Sequence, residues 1–273
     1  MVTTCSAATP GAAAPDESSH PLPVVLYSGG WQKVGEGLEL CEYYQVGYNW
    51  KPLLVLRIDP ACCEVELHSA SLEGHKALTP LQWARRHHLA AVINASMYLP
   101  DGMTSTAYMR SGDKVANGRI AEKYGAFFAA SPRKKGLPSA CLLDREADDW
   151  KKLLGEYDQV VQNFRLIGPA HSPHWPENGP HHSVAAVGMD ASGFLYFLHY
   201  EPPVSIHGFV HILRESSGLE LTHAMYVEGG AQAVLGLWTA ERTLYRQGRH
   251  VIPFLTGEPL LPNILGVRLK SQP

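Results

Sequence analysis

The first third of the chain reads as short runs of β-branched and aromatic residues: VVLYS (24–28), LELCEYYQV (38–46), LLVLRID (53–59) and CEVELHSA (63–70), separated by Gly, Asn, Asp and Pro. Runs this short between turn residues predict an antiparallel β start. Thr79 followed by Pro80 predicts a capped helix running through Leu81, Trp83 and Ala84 to His87 and His88. Thr accepts an orphaned N–H there, and Pro sits where no N–H is needed. AAVINA (90–95) is a further strand. From 96 to about 130 the text is polar and turn-rich with Tyr, Met and Arg, which predicts a long loop with a functional use. A helix is expected at about 147–156 around Trp150, Leu153 and Leu154, and VVQNF (160–164) is expected as a strand.

The most regular pattern comes later. SVAAVGMD (183–190), a turn at Ala191-Ser192-Gly193 and FLYFLHY (194–200) form a hairpin. Ser205 caps a helix in which Ile206, Phe209, Val210 and Leu213 recur at i, i+3, i+4 and i+7. AMYV (224–227) leads into Glu228-Gly229-Gly230, and NILGVRL (263–269) is a closing strand. No repeat and no linker divides the chain. The expected architecture is an α+β single domain over residues 24–273, with a large mixed, mostly antiparallel β-sheet and a few helices. Residues 1–23, rich in Ala, Ser, Thr and Pro without apolar periodicity, are expected to be a disordered tail.

Composition narrows the partners. Lys and Arg number 23 against 26 Asp and Glu, a net charge of −3, so no electrostatic surplus favours nucleic acid or an anionic membrane. No run of about 18 apolar residues predicts a transmembrane helix. Cys5, Cys41, Cys62, Cys63 and Cys141 have no metal-type spacing, and an odd number cannot pair completely within one chain. The adjacent Cys62 and Cys63 read as small core residues on opposite faces of a strand. Histidine is abundant, with 14 residues. His171, His174, His181 and His182 lie in a Pro- and Gly-rich loop without the spacing of a zinc site, and His87 and His88 read as structural residues at a helix C-terminus.

Three strand ends combine polar chemistry with small residues. Asn94-Ala95-Ser96 ends a buried strand, and its plain reading is a polar turn. Val227-Glu228-Gly229-Gly230 places a carboxylate beside backbone without Cβ atoms, open to close ligand approach, although paired glycines also occur in ordinary turns. Gln162-Asn163-Phe164-Arg165 is either a polar site or a surface strand with an exposed arginine.

The runs VINASMY, TSTAYMRSG, VVQNFRLI, SVAAVGMDASG, the Ser205-Ile206-His207-Gly208-Phe209 helix start, AMYVEGG and PNILGV occur in an order that resembles phosphodiester glycosidase family domains, over about residues 50–269. The resemblance implies hydrolysis of the bond between a sugar's anomeric carbon and a phosphodiester. It also implies an extracytoplasmic, secreted or periplasmic, setting. On that reading a signal once preceded Met1, and Cys5 is a candidate lipid anchor, although Val2, Thr3 and Thr4 suit a lipoprotein cleavage site poorly. Asn94 and Ser96 stand where the family has Asn-Gly-Gly or Asn-Gly-Ser, and Glu228-Gly229-Gly230 where it has Asp-Gly-Gly or Glu-Gly-Gly. The chain departs from the family at Ala95, which replaces a Gly, at Ala231, and at Gly208, where an acidic residue often follows the histidine.

The chemistry assigns roles within that expectation. An oxocarbenium-like state needs a carboxylate near the anomeric carbon, and Glu228 is the candidate. A phosphate leaves as a stable anion, so cations and amides serve in place of a second carboxylic acid. Arg110 and Arg165 are the expected forks for phosphate oxygens, with a structural salt bridge as their alternative. His207 is the expected donor to the departing group. Asn94, Ser96, Gln162 and His182, with the backbone of Gly229 and Gly230, are expected to orient substrate. No acidic cluster demands a metal, so no cofactor is expected, and a divalent cation at the phosphate is an option only. The competing expectation is a non-catalytic glycan- or phosphate-binding module on the same fold.

Overall fold

The computed structural model describes residues 26–45, 48–169, 175–216, 218–249 and 257–270. Among the described residues, eighteen strands divide among three sheets whose named pairings are all antiparallel. The first contains β1 (Leu26–Ser28), β2 (Gln32–Gly35), β3 (Leu38–Gln45), β4 (Tyr48–Ile58), β12 (Arg165–Ile167), β13 (His182–Asp190), β14 (Leu195–Val204) and β15 (Leu221–Gly229). The second contains β7 (Met109–Ser111), β8 (Lys114–Asn117), β9 (Ala126–Pro132), β10 (Ala140–Asp144) and β11 (Tyr157–Asn163). The third contains β5 (Cys63–Ser69), β6 (Ala91–Asn94), β16 (Val234–Trp238), β17 (Thr243–Gln247) and β18 (Asn263–Leu269).

The α+β class and the antiparallel pairing agree with the sequence reading; the division into three sheets does not. Its physical basis is one shared core. Leu56, Val187 and Phe197 of the first sheet meet Phe128, Leu142 and Val161 of the second and Val65, Ile93 and Leu265 of the third. Each sheet then buries its outer face under a helix. Phe209, Ile212 and Leu213 of α4 (Ile206–Glu215) cover the first, and Trp83 and Ala84 of α2 (Pro80–His87) cover the third. Trp150, Leu153 and Leu154, from α3 (Trp150–Leu153) and the 3-10 turn after it, cover the second. Strands buried on both faces lose the alternation that marks a half-exposed strand.

The expected caps form. Thr79 Oγ1 accepts the N–H of Gln82 at 3.3 Å while the Gln82 side chain accepts that of Thr79 at 2.9 Å, a reciprocal capping box. Ser205 Oγ accepts the N–H of Gly208 at 3.1 Å. The expected long loop after residue 95 instead holds β7, β8 and the start of β9, and the helix expected at 147–156 is shorter, one turn of α-helix and one of 3-10. Cys41, Cys63 and Cys141 are buried and unpaired, as small core residues. No helix among the described residues is long and apolar enough to cross a membrane.

Candidate active site

The site forms where β15 ends. Tyr226 lies opposite Ala186 and Glu228 opposite Ala185, so Val227 is an extra residue, a β-bulge. Without it Tyr226 and Glu228 would share a face, because strands alternate with period two. With it they separate. Tyr226 packs with Ala186 in the outer layer under α4, while Glu228 goes with Ala185 and Val227 toward the shared core. Gly229 then returns to the outer side opposite Val184. A Cβ there would stand 2.1 Å from the Tyr226 hydroxyl and 2.7 Å from His182 Nδ1, so any other residue would have to push both rings aside. Gly230 takes a left-handed φ of 61° and turns the chain into a 3-10 turn.

Glu228 is poorly compensated. Its carboxylate accepts the N–H of Gly229 at 2.9 Å, and no ion pair reaches it among the described residues. Burial disfavours its charged form and pushes its pKa up to about 7, against which the Gly229 hydrogen bond works only in part. Two phenols feel its charge. Burial raises the Tyr98 pKa and Glu228 adds to it, and the Tyr226 pKa rises for the same two reasons.

His182 opens β13, with Nδ1 2.8 Å from the Ser183 carbonyl and its ring edge-on to Tyr226 at 6.1 Å. The buried hydroxyl of Ser183 donates to the Glu201 carbonyl and accepts the N–H of Arg249 at 2.8 Å. Gly248 packs so tightly on the Gly230 carbonyl that a Cβ would lie 1.9 Å from it. These contacts bring Arg249 to the same strand end, with its guanidinium 3.8 Å from Glu201.

Two asparagines fix this end from the other sheets. Asn94, ending β6, donates to the Gln232 carbonyl at 2.9 Å and accepts the N–H of Val234 at 2.8 Å. Asn163, ending β11, donates to the Val227 carbonyl at 3.4 Å, at the bulge itself. Beside them, a groove of about 520 Å³ is lined by Leu99, Thr106, Arg119, Lys123 and Tyr124 among others. Tyr124 packs on Phe164 at 4.1 Å between ring centres, and Phe164 meets Trp175 edge-on at 5.7 Å. The groove therefore carries two exposed cations, Arg119 and Lys123, and the exposed carboxylate of Glu122 next to an aromatic wall.

The sequence-derived site residues separate into two groups. Glu228, Gly229, Gly230 and His182 come together. Arg110 does not join them: Nε donates to the Tyr108 hydroxyl at 3.1 Å, Nη1 to Gly112 at 3.0 Å, and Nη2 to the carbonyls of Leu154 and Tyr157 at 2.7 and 2.6 Å. A fork engaged in this way pins β7 to the turn before β11 and is not offered to a phosphate. Arg165 takes its structural alternative too, in a buried pair with Asp144 at 2.8 Å and a second contact to Glu146 at 3.0 Å. Gln162 is wholly buried; it accepts the Ala121 N–H at 2.8 Å and donates to the carbonyls of Ala121 and Tyr124 at 2.9 and 2.8 Å. It holds the groove wall and does not face substrate. Asn94 and Ser96 are likewise buried, Ser96 next to the Asn263 amide at 3.5 Å, so both support the site from behind. His207 is exposed in the first turn of α4, and no hydrogen bond or ion pair among the described residues joins it to Glu228. His171 and His174 lie outside the described residues.

Ala95 is fully buried and does not adopt a positive φ, so replacing a glycine there imposes no strain. Tyr98, Asn163, Tyr226 and Arg249 are site residues the sequence reading missed. The first three sat inside the very motifs singled out, one to four residues from the chosen positions. Arg249 had no motif, only a preceding glycine.

No known protein family matches the chain, and no curated protein is detectably similar in sequence. Among solved structures, the backbone is similar to the catalytic domain of zebrafish N-acetylglucosamine-1-phosphodiester alpha-N-acetylglucosaminidase, auto-inhibited by its pro-peptide. The TM-score is 0.58 at 13% identity, covering 92% of this chain and 86% of that one. A hypothetical protein from Synechocystis gives a TM-score of 0.58 at 12% identity, covering 88% of this chain, which spans 63% of that protein's length. At these identities the likeness is one of fold.

Proposed function

We propose that the chain is a hydrolase that cleaves the glycosyl–phosphate bond of a sugar-1-phosphodiester from an envelope or extracellular glycan. The observation that carries this reading is Glu228, a desolvated carboxylate without an ionic partner among the described residues, set by a bulge beside two glycines. Its fold likeness to a phosphodiester glycosidase supports the same class. A pKa of about 7 suits proton transfer at neutral pH better than a permanently ionised nucleophile, so Glu228 acts as general base.

In this mechanism Glu228 takes a proton from a water that attacks the anomeric carbon. The electron pair of the breaking C–O bond passes to the phosphate oxygen, and a phosphate monoester leaves as an anion without requiring an acid. The glycines let the sugar approach the main chain, and Tyr98, Tyr226 and His182 flank it. Arg249, with Arg119 and Lys123 along the groove, attracts the anionic half. Charge-assisted contacts of this kind stabilise phosphate oxygens better than neutral donors do.

Hydrolysis of a synthetic sugar-1-phosphodiester in oxygen-18 water tests the reading. Free reducing sugar carrying the label, together with an unlabelled phosphate monoester, is the expected result. Label in the phosphate means a phosphodiesterase and overturns it. Saturable binding without turnover overturns it in favour of a glycan- or phosphate-binding module.

A further inference from the structure

On the outer face of the third sheet, across the shared core from the sheet that carries Glu228, three imidazoles converge on one carboxylate. Glu73 Oε1 lies 3.1 Å from His68 Nδ1, and Glu73 Oε2 lies 3.0 Å from both His75 Nε2 and His87 Nε2. The donor atoms of His68, Glu73 and His87 all lie within 4.8 Å of one another. His68 comes from β5, Glu73 ends α1 (Ala70–Glu73), and His87 ends α2, so three separate elements meet. The rings pack around buried Trp83, with His68 and His87 stacked at 3.8 Å. Side-chain exposures of 11% for His68, 17% for His75, 19% for His87 and 24% for Glu73 leave the cluster sheltered but reachable.

We propose that this cluster is a binding site for a divalent transition-metal ion of the zinc type, held by His68, Glu73 and His87, with His75 or water completing it. Zinc bonds of about 2.0–2.2 Å in a tetrahedron place neighbouring donor atoms about 3.3–3.6 Å apart, a contraction within reach of ligand atoms that lie within 4.8 Å of one another, with the Glu73 oxygens already 3.0–3.1 Å from the imidazole nitrogens. Nitrogen donors with one carboxylate suit zinc, cobalt or nickel better than magnesium or calcium, which prefer all-oxygen shells. The surroundings have the form of a metal ligand's outer support. His68 Nε2 lies 3.0 Å from Glu66 Oε2, and Arg268 grips Glu66 through two nitrogens at 3.0 and 2.8 Å. A carboxylate on the far nitrogen directs the near one, Nδ1, toward an ion. Binding displaces the protons that otherwise bridge Glu73 to the imidazoles, and it ties α1 and α2 to β5. The ion is a structural staple remote from the proposed hydrolytic chemistry.

The test uses the full chain stripped with chelator and desalted. Calorimetric titration with Zn²⁺ is expected to show one ion per chain, and Co²⁺ to give the intense visible bands of tetrahedral coordination. Saturating Zn²⁺ is expected to raise Tm by about 5 °C or more. His87→Gln, a partly exposed change at a helix end that leaves the fold intact by circular dichroism, is expected to weaken binding at least tenfold and abolish the cobalt bands. Glu66→Gln, which touches no ion, is expected to weaken binding about tenfold. No saturable binding at one equivalent, or weak octahedral cobalt bands, overturns the proposal. So does binding that survives His87→Gln but is lost when His171 and His174 are replaced.

Discussion

Glu228 and Glu73 are the same residue type and burial disfavours the charge of both, more strongly at Glu228, yet the fold gives them opposite proton affinities. At Glu228 burial acts against a single backbone hydrogen bond, and the pKa rises to about 7. At Glu73 burial would also raise the pKa, but hydrogen bonds from His68 and His75 and the charge of His87 bring it down to about 2. Glu66 follows Glu73: burial is outweighed by hydrogen bonds from His68 and Arg268, and its pKa is also about 2. A carboxylate surrounded by donors is committed to structure or to a cation. One left desolvated without a partner is available for proton transfer.

The largest effect expected from disturbing this contrast is on turnover. Glu228→Gln keeps shape and burial but removes the base, and kcat on a sugar-1-phosphodiester should fall about a thousandfold with the fold unchanged. A variant that keeps wild-type kcat ends the assignment. Next comes the structural arginine. Arg165→Met leaves Asp144 buried without its partner and should cost roughly 3 kcal/mol in denaturant unfolding, while KM stays within twofold. A large rise in KM without loss of stability would return Arg165 to the phosphate.

The pH dependence follows with an effect of similar size. Because the Glu228 pKa is higher folded than unfolded, the folded state holds an extra proton between pH 4.5 and about 7. Stability from this group is therefore lost as pH rises through that window, by on the order of 3 kcal/mol. Glu228→Gln should be more stable than wild type at pH 8 by that order and equal to it near pH 4. Equal stability at both pH values would show that the carboxylate is solvated. In metal-free protein, Glu66 and Glu73 act with the opposite sign: their contribution is present above pH 4.5 and lost as pH falls toward about 2. The smallest effect belongs to the exposed cation. Arg249→Ala should raise KM about tenfold with little change in kcat, since it attracts the anionic half and does not touch the reacting bond.

Much of the fold was legible along the chain. The β5, β13, β14 and β18 patterns, the Thr79 and Ser205 caps and the AMYVEGG strand end follow from side-chain type at fixed spacing, a local property. β2, β10, β12, β16 and β17 were missed, as were β7, β8 and β9, which lie wholly or in part inside what read as a loop. β10 and most of β16 are buried on both faces and show no alternation, while β7 and β8 are short and flanked by turn residues. Of the site, Glu228, its glycines and His182 were legible because they sit within three residues of strand ends. The arginines were not, because a guanidinium looks the same in sequence whether its partners are carbonyls or a phosphate.

The amino-acid sequence by itself determined an antiparallel α+β chain, a near-neutral net charge, and a carboxylate followed by paired glycines at the end of a strand. Tertiary structure alone decided which charges are compensated. Arg165 meets Asp144, Asn94 meets Val234 and His87 meets Glu73 across long stretches of chain, and the bulge at Val227 turns Glu228 away from Tyr226. Proton affinity and availability depend on what lies within a few ångströms in space, and spacing along the chain does not encode those neighbours.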